Sequence, residues 1–277
     1  MIFFTVLYYI ISLSIAFLFT LLFNVDYTEF SNPLLYVGVG GSLLLGLILG
    51  FGVILFIIYL MGVIREKTPF DNKFNHRYAN KILRFGQYLM RVKVIVTGKE
   101  NIPEGNFILM SNHQENYDII ILKPIFKDHI LNFIAKEALT KLPIFGRWIK
   151  LLGNIFISRD ADRSAAVSII KGIKQYKAGT SMGIFPEGKR AFGNDMIEFK
   201  AGAMKLAMKP KADILIATQY DVCKIFKKFP WRKYKVYVHI SPVLKYEEFE
   251  GLRSQEVSAI VKERIQLQLD IFKKIIK

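Results

Sequence analysis

Phe107-Ile108-Leu109-Met110-Ser111-Asn112-His113-Gln114-Glu115-Asn116-Tyr117-Asp118 decides the fold of this chain, because it changes from an apolar run to a polar turn and then to a helix start. His113 stands five residues ahead of Asp118. On one continuous helix, five residues rotate a side chain about 500°, leaving the two groups roughly 140° apart, so no single helix face carries both. A strand over 107–111 and a helix beginning near 116 solve the problem. His113 then lies in the turn, and Asp118 in the first helical turn reaches back to it. That pairing holds one imidazole nitrogen and leaves the other to take a proton, the minimum equipment for a general base acting on an alcohol.

The same alternation continues on both sides. A helix is expected over 71–89 and strands over 93–96, 131–135, 154–158, 182–185, 214–218 and 235–240, with turns and helical stretches between them. Short apolar runs alternating with helices predict an α/β domain with one central sheet. Val257, Val261, Ile265, Leu269, Phe272 and Ile276 recur at helical spacing and predict a terminal helix packed on that sheet, with a bilayer-resting helix as the alternative.

Ahead of this domain the composition changes. Residues 1–64 contain no Lys or Arg and only two acids, Asp26 and Glu29, whereas residues 65–277 hold all 39 basic residues. The runs 2–23 and 34–64 are uncharged, and each is long enough to cross a hydrocarbon core about 30 Å thick. They predict a membrane-anchoring helical hairpin, either spanning or dipping into one leaflet. Gly46 and Gly50 offer a small-residue surface for contact between its helices. The acidic connection 24–33 and the basic start at Arg65 place the connection outside and residues 65–277, the second domain, on the cytoplasmic face. A single cysteine, Cys223, excludes an internal disulfide framework and suits a reducing compartment; an inert, half-buried thiol is expected there. A net charge of +16 admits nucleic acid, anionic lipid or an acidic carrier as partner, and the apolar leader favours the last two.

Three more segments have a chemical reading. Gly153-Asn154-Ile155-Phe156-Ile157-Ser158-Arg159 places Arg159 at a strand end, where a guanidinium binds phosphate through two oxygens. Phe185-Pro186-Glu187-Gly188-Lys189-Arg190 is a second strand-end turn. There Gly188 admits a close backbone approach, Glu187 can orient Arg190 or a substrate hydroxyl, and Arg190 adds positive charge for an anion. Phe199-Lys200-Ala201-Gly202-Ala203 is expected to begin a small-residue helix whose N-terminus and Lys200 face a phosphate. Two mixed apolar, aromatic and basic segments, 143–150 and 227–233, suit a membrane interface, and the second also suits an acidic acyl carrier.

In this order, over roughly residues 90–245, the His-x4-Asp and Phe-Pro-Glu-Gly-x-Arg blocks resemble the glycerolipid acyltransferase family, in particular its 1-acylglycerol-3-phosphate acyltransferases. The resemblance implies helices around a mixed sheet. It makes His113 the base and Asp118 its orienting carboxylate, and gives acceptor-binding roles to Arg159, Glu187, Gly188 and Arg190. It also implies an acyl donor that is a thioester of coenzyme A or acyl carrier protein, an acceptor that is lysophosphatidic acid, phosphatidic acid as product, and no metal or other cofactor. Other acceptors, such as glycerol 3-phosphate or a glycolipid, are the nearest alternative; a metal-dependent phosphoesterase and a non-enzymatic lipid-binding module stand further off. Two positions depart from the family pattern. Glu115 stands where a small hydroxyl residue is frequent, and the apolar run 214–218 lacks a following proline.

Overall fold

The structure is a computed structural model, and it describes residues 2–22, 33–157, 161–227 and 232–276. It divides into two compact units, Met1–Lys67 and Thr68–Lys277.

The first unit is helical: α1 (Ile2–Leu22) and α2 (Pro33–Ile64). Both are long and apolar enough to cross a membrane. They pack on each other through small residues. A Cβ on Gly46 or Gly50 would run into the backbone or side chain of Ser12, and Tyr8 donates its hydroxyl to the Leu47 carbonyl at 3.2 Å. The connection 24–33 falls, up to residue 32, outside the described residues.

The second unit opens with α3 (Lys73–Leu89), which starts two residues later than its apolar pattern suggests because Asn72 caps it by accepting the Asn75 N–H at 3.2 Å. Seven strands follow: β1 (Val92–Thr97), β2 (Ile108–Ser111), β3 (Leu131–Lys136), β4 (Ile155–Ile157), β5 (Ser181–Ile184), β6 (Ile214–Tyr220) and β7 (Tyr234–Ile240). The other helices are α4 (Asp118–Leu122), α5 (Phe145–Leu151), α6 (Ala161–Lys177), α7 (Lys205–Met208) and α8 (Ser254–Ile275).

The strands form one sheet in the order β1-β7-β6-β2-β5-β3-β4. Neighbours from β6 to β4 are parallel, β7 is antiparallel to β6, and β1 is parallel to β7, so the sheet is mixed as expected. Its centre reads as unbroken apolar sequence because both faces are covered. Ile108 and Met110 of β2 pack with α8 on one face, while Phe107 and Leu109 pack with Ile121 and Phe126 on the other. The alternation follows from the two-residue period of a strand. α8 buries Val257, Val261, Ile265, Leu269 and Phe272 against the sheet, which settles the terminal helix as a packed element.

In the segment 143–150, Trp148 is a core-facing aromatic, buried and stacked on Tyr78 at 5.1 Å, while Phe145 stays exposed. Of the segment 227–233, residues 228–231 lie outside the described residues.

Candidate active site

The carboxyl ends of the parallel strands β2, β5 and β6 meet at one edge of the sheet, where open α/β sheets gather ligand-binding loops. β2 ends at Ser111, α4 begins at Asp118, and the six residues between form the turn.

His113 Nδ1 lies 2.6 Å from Asp118 Oδ2. The same carboxylate oxygen accepts the Gln114 N–H at 2.7 Å and the Glu115 N–H at 3.1 Å, so the turn closes around Asp118 as a cage of donors. Asp118 is fully buried. Burial pushes its carboxyl up, against the opposing pull of His113 and of the Glu115 and Gln114 N–H groups. Because Asp118 accepts other N–H donors at the same oxygen, the hydrogen-bond network assigns the imidazole proton to Nδ1. Nε2 has no hydrogen-bond partner among the described residues, and the ring keeps 19% of its surface exposed. The ring also stacks on Phe185 at 4.4 Å and 16°, which limits its rotation.

The second turn is joined to the first by its backbone. Ala191 N–H donates to the His113 carbonyl at 2.8 Å and Phe192 N–H to the Gln114 carbonyl at 3.2 Å. Gly188 closes the tight turn back to the Phe185 carbonyl at φ +66°, a conformation that favours glycine. Lys200 lies over this turn; a Cβ on Gly188 would come within 3.2 Å of its Cε. The helix expected after Lys200 is only a 3-10 turn over Ala201–Met204 followed by the four-residue α7. Its expected N-terminal anion site is therefore corrected: too few peptide dipoles align there.

Glu187 is also corrected. Its Oε1 accepts the His113 N–H at 2.7 Å and its Oε2 accepts the Ile197 N–H at 3.0 Å, and the residue is 2% exposed. Its carboxylate braces the backbone under the histidine, and Arg190 is paired elsewhere. Burial raises its carboxyl, a cost offset by two charge-assisted bonds. Arg190 instead points its Nη1 at Glu115 Oε2, 3.6 Å away, and stacks over the Phe192 ring at 4.6 Å. Arg159 lies outside the described residues.

A buried polar network went unassigned in the sequence. Asn112 exchanges two hydrogen bonds with the Gln219 backbone, at 2.8 and 2.9 Å. Gln114 bonds Asn194, the Gln219 carbonyl and the Val222 N–H, and Asn194 continues to Asp221. It ties the 112–117 turn to β6 and to the 185–194 segment. Asn112 and Gln114 stood in the motif, but their partners lie 80 to 108 positions further along the chain, where no local pattern points. Cys223 is half-buried beside this network; burial raises its thiol, as suits an inert cysteine.

An oriented imidazole with an open nitrogen, set on a strand-to-helix turn of an α/β sheet, is an arrangement able to take a proton from a hydroxyl. The chain matches the Acyltransferase family over residues 93–221. It is 35% identical over 197 residues to the 1-acyl-sn-glycerol-3-phosphate acyltransferase of Borreliella burgdorferi, covering 69% of this chain and 77% of that one. It is 32% identical over 178 residues to the enzyme of the same name from Pseudomonas aeruginosa, covering 62% and 68%. The crystal structure of the 1-acyl-sn-glycerophosphate (LPA) acyltransferase from Thermotoga maritima shares the fold, with a TM-score of 0.62 over 80% of this chain and 95% of that one, at 24% identity. The chain belongs to the Acyltransferase family, among its 1-acyl-sn-glycerol-3-phosphate acyltransferases.

Proposed function

We propose that this protein transfers an acyl chain from a thioester to the free hydroxyl of 1-acylglycerol 3-phosphate, forming phosphatidic acid. The observation that carries the reading is the His113–Asp118 pair with its unoccupied Nε2. Nε2 takes the hydroxyl proton as the oxygen adds to the thioester carbonyl. Asp118 stabilises the imidazolium that results, as an orienting carboxylate does in other acyl-transfer sites. The tetrahedral oxyanion collapses, the C–S bond breaks, and the departing thiolate takes the proton back from Nε2. Atoms and charge balance without any further group.

Arg190, Lys200 and Arg159 supply positive charge for the acceptor's phosphate, and the backbone at Gly188 admits its close approach. Glu187 contributes by holding the His113 backbone. The donor is a thioester of coenzyme A or of acyl carrier protein. Residues 1–64 act as the membrane anchor of a catalytic domain, 65–277, on the cytoplasmic face. A lipid acceptor and a lipid product favour that placement, since a site at the interface avoids drawing either fully into water. The basic surface of the domain adds about 1 kcal/mol per side chain near an anionic leaflet.

The test is acyl transfer from labelled acyl-coenzyme A and acyl-carrier-protein donors to 1-acylglycerol 3-phosphate by the detergent-solubilised protein and its folded His113→Ala variant. Phosphatidic acid from the unmodified protein, reduced about 10²- to 10⁴-fold in the variant, is expected. Undiminished transfer by His113→Ala would remove His113 as the base. Transfer to glycerol 3-phosphate alone would replace the acceptor.

A further inference from the structure

Glu115 sits inside the catalytic turn, yet it takes no part in the proton transfer. Its N–H donates to Asp118, while its Oε2 accepts the Asn116 N–H at 3.3 Å and faces Arg190. The Nη1 to Oε2 distance of 3.6 Å exceeds the 2.7–2.9 Å of a charge-assisted hydrogen bond. Both side chains are partly exposed, 29% for Arg190 and 22% for Glu115, so water screens the pair. It is close enough to attract and too loose to lock.

Two features make this more than a chance meeting of surface charges. The Ala191 and Phe192 N–H groups bond the carbonyls of His113 and Gln114, so the backbone bearing Arg190 is held in register with the backbone bearing Glu115. The Phe192 ring covers one face of the guanidinium, which narrows the approach of anions to it, and Glu115 already stands at Nη1.

We propose that Glu115 is an internal competing anion for Arg190, displaced by the phosphate of the acceptor and returning to the guanidinium as the product's phosphate leaves. The proposal rests on the reading of Arg190 as a phosphate partner given above. A phosphomonoester offers more negative charge and paired oxygens than a single carboxylate, so it displaces Glu115. The carboxylate nevertheless weakens the apparent affinity by the fraction of time it holds the arginine. Acceptor and product use the same phosphate, so both are weakened alike, and the thioester donor is not.

The experiment is calorimetric binding of a short-chain 1-acylglycerol 3-phosphate to the full-length protein in detergent, without donor, for the unmodified chain, Glu115→Gln and Glu115→Ser. Binding about two- to five-fold tighter in both variants is expected, the ratio that a partly exposed ion pair is worth. In turnover, the acceptor KM should fall and product inhibition by phosphatidic acid should strengthen by similar factors, with the donor KM unmoved. Adding Arg190→Ala should erase the gain from Glu115→Gln, because the competition needs both partners. Unchanged or weaker acceptor binding in folded Glu115 variants would overturn the proposal. If one variant fails to fold, the other carries the comparison. Absence of turnover in the unmodified protein would count against the proposed reaction, while the ratio of binding constants would still decide the role of Glu115.

Discussion

Two imidazoles are paired with a buried ionisable side chain at opposite ends of α4, and only one of them is placed to do chemistry. At the start of the helix, Asp118 holds His113 by Nδ1, and Nε2 remains open. Just past its end, Lys123 Nζ lies 3.2 Å from His76 Nδ1 and donates to the Leu131 carbonyl, while His76 Nε2 donates to the Phe70 carbonyl at 2.9 Å. Both nitrogens of His76 are thus used, and the residue is 2% exposed. Burial first, and then the charge of Lys123, lower His76 to about 3, so it stays neutral. Lys123, with no carboxylate beside it among the described residues, is lowered by burial to about 7. A buried histidine beside a charge is therefore not in itself a site. His113 differs in a nitrogen that has no hydrogen-bond partner among the described residues.

The largest loss of activity among these pairs is expected at Asp118. Asp118→Asn keeps the shape of the turn but loses the charge that favours the imidazolium, and kcat should fall about 10²- to 10³-fold. A variant within two-fold of the unmodified protein would mean that the carboxylate only shapes the turn.

At the other end the effect should fall on stability. His76→Ala opens a cavity and leaves the Lys123 ammonium with one acceptor fewer, costing about 2–4 kcal/mol in denaturant unfolding. The turnover of the fraction that remains folded should persist. If the folded variant instead lost transfer as His113→Ala does, the distinction between the two histidines would collapse.

The same pair of histidine and lysine should also respond to pH. The unfolded chain keeps Lys123 protonated to its ordinary 10.5 and the folded one only to about 7, so between those values the unfolded state binds more protons. Stability should therefore rise with pH from about 7 toward 10.5 on account of this group, and the penalty should be present in full below 7. Thermal unfolding of Lys123→Met and of the unmodified protein across that window measures it. The unmodified protein should gain on the variant as pH rises, whereas parallel profiles would show that Lys123 is not the group responsible.

The hairpin and the α/β sheet were legible because each rests on local rules: uninterrupted apolar length for α1 and α2, and period-two runs with turn residues for the strands. His113, Asp118 and Gly188 could be read for the same reason, since five or fewer residues separate the groups that must meet and the turn chemistry is carried by the turn itself. The sequence alone determined these. The tertiary structure decided what depends on distance along the chain. Glu187 braces a backbone 74 positions away, Gln114 reaches the 219–222 segment, and Arg190 meets Glu115 instead of its neighbour Glu187. It also separated His113 from His76, because whether a ring nitrogen is left open depends on every element packed around it, and a one-dimensional pattern contains no record of that.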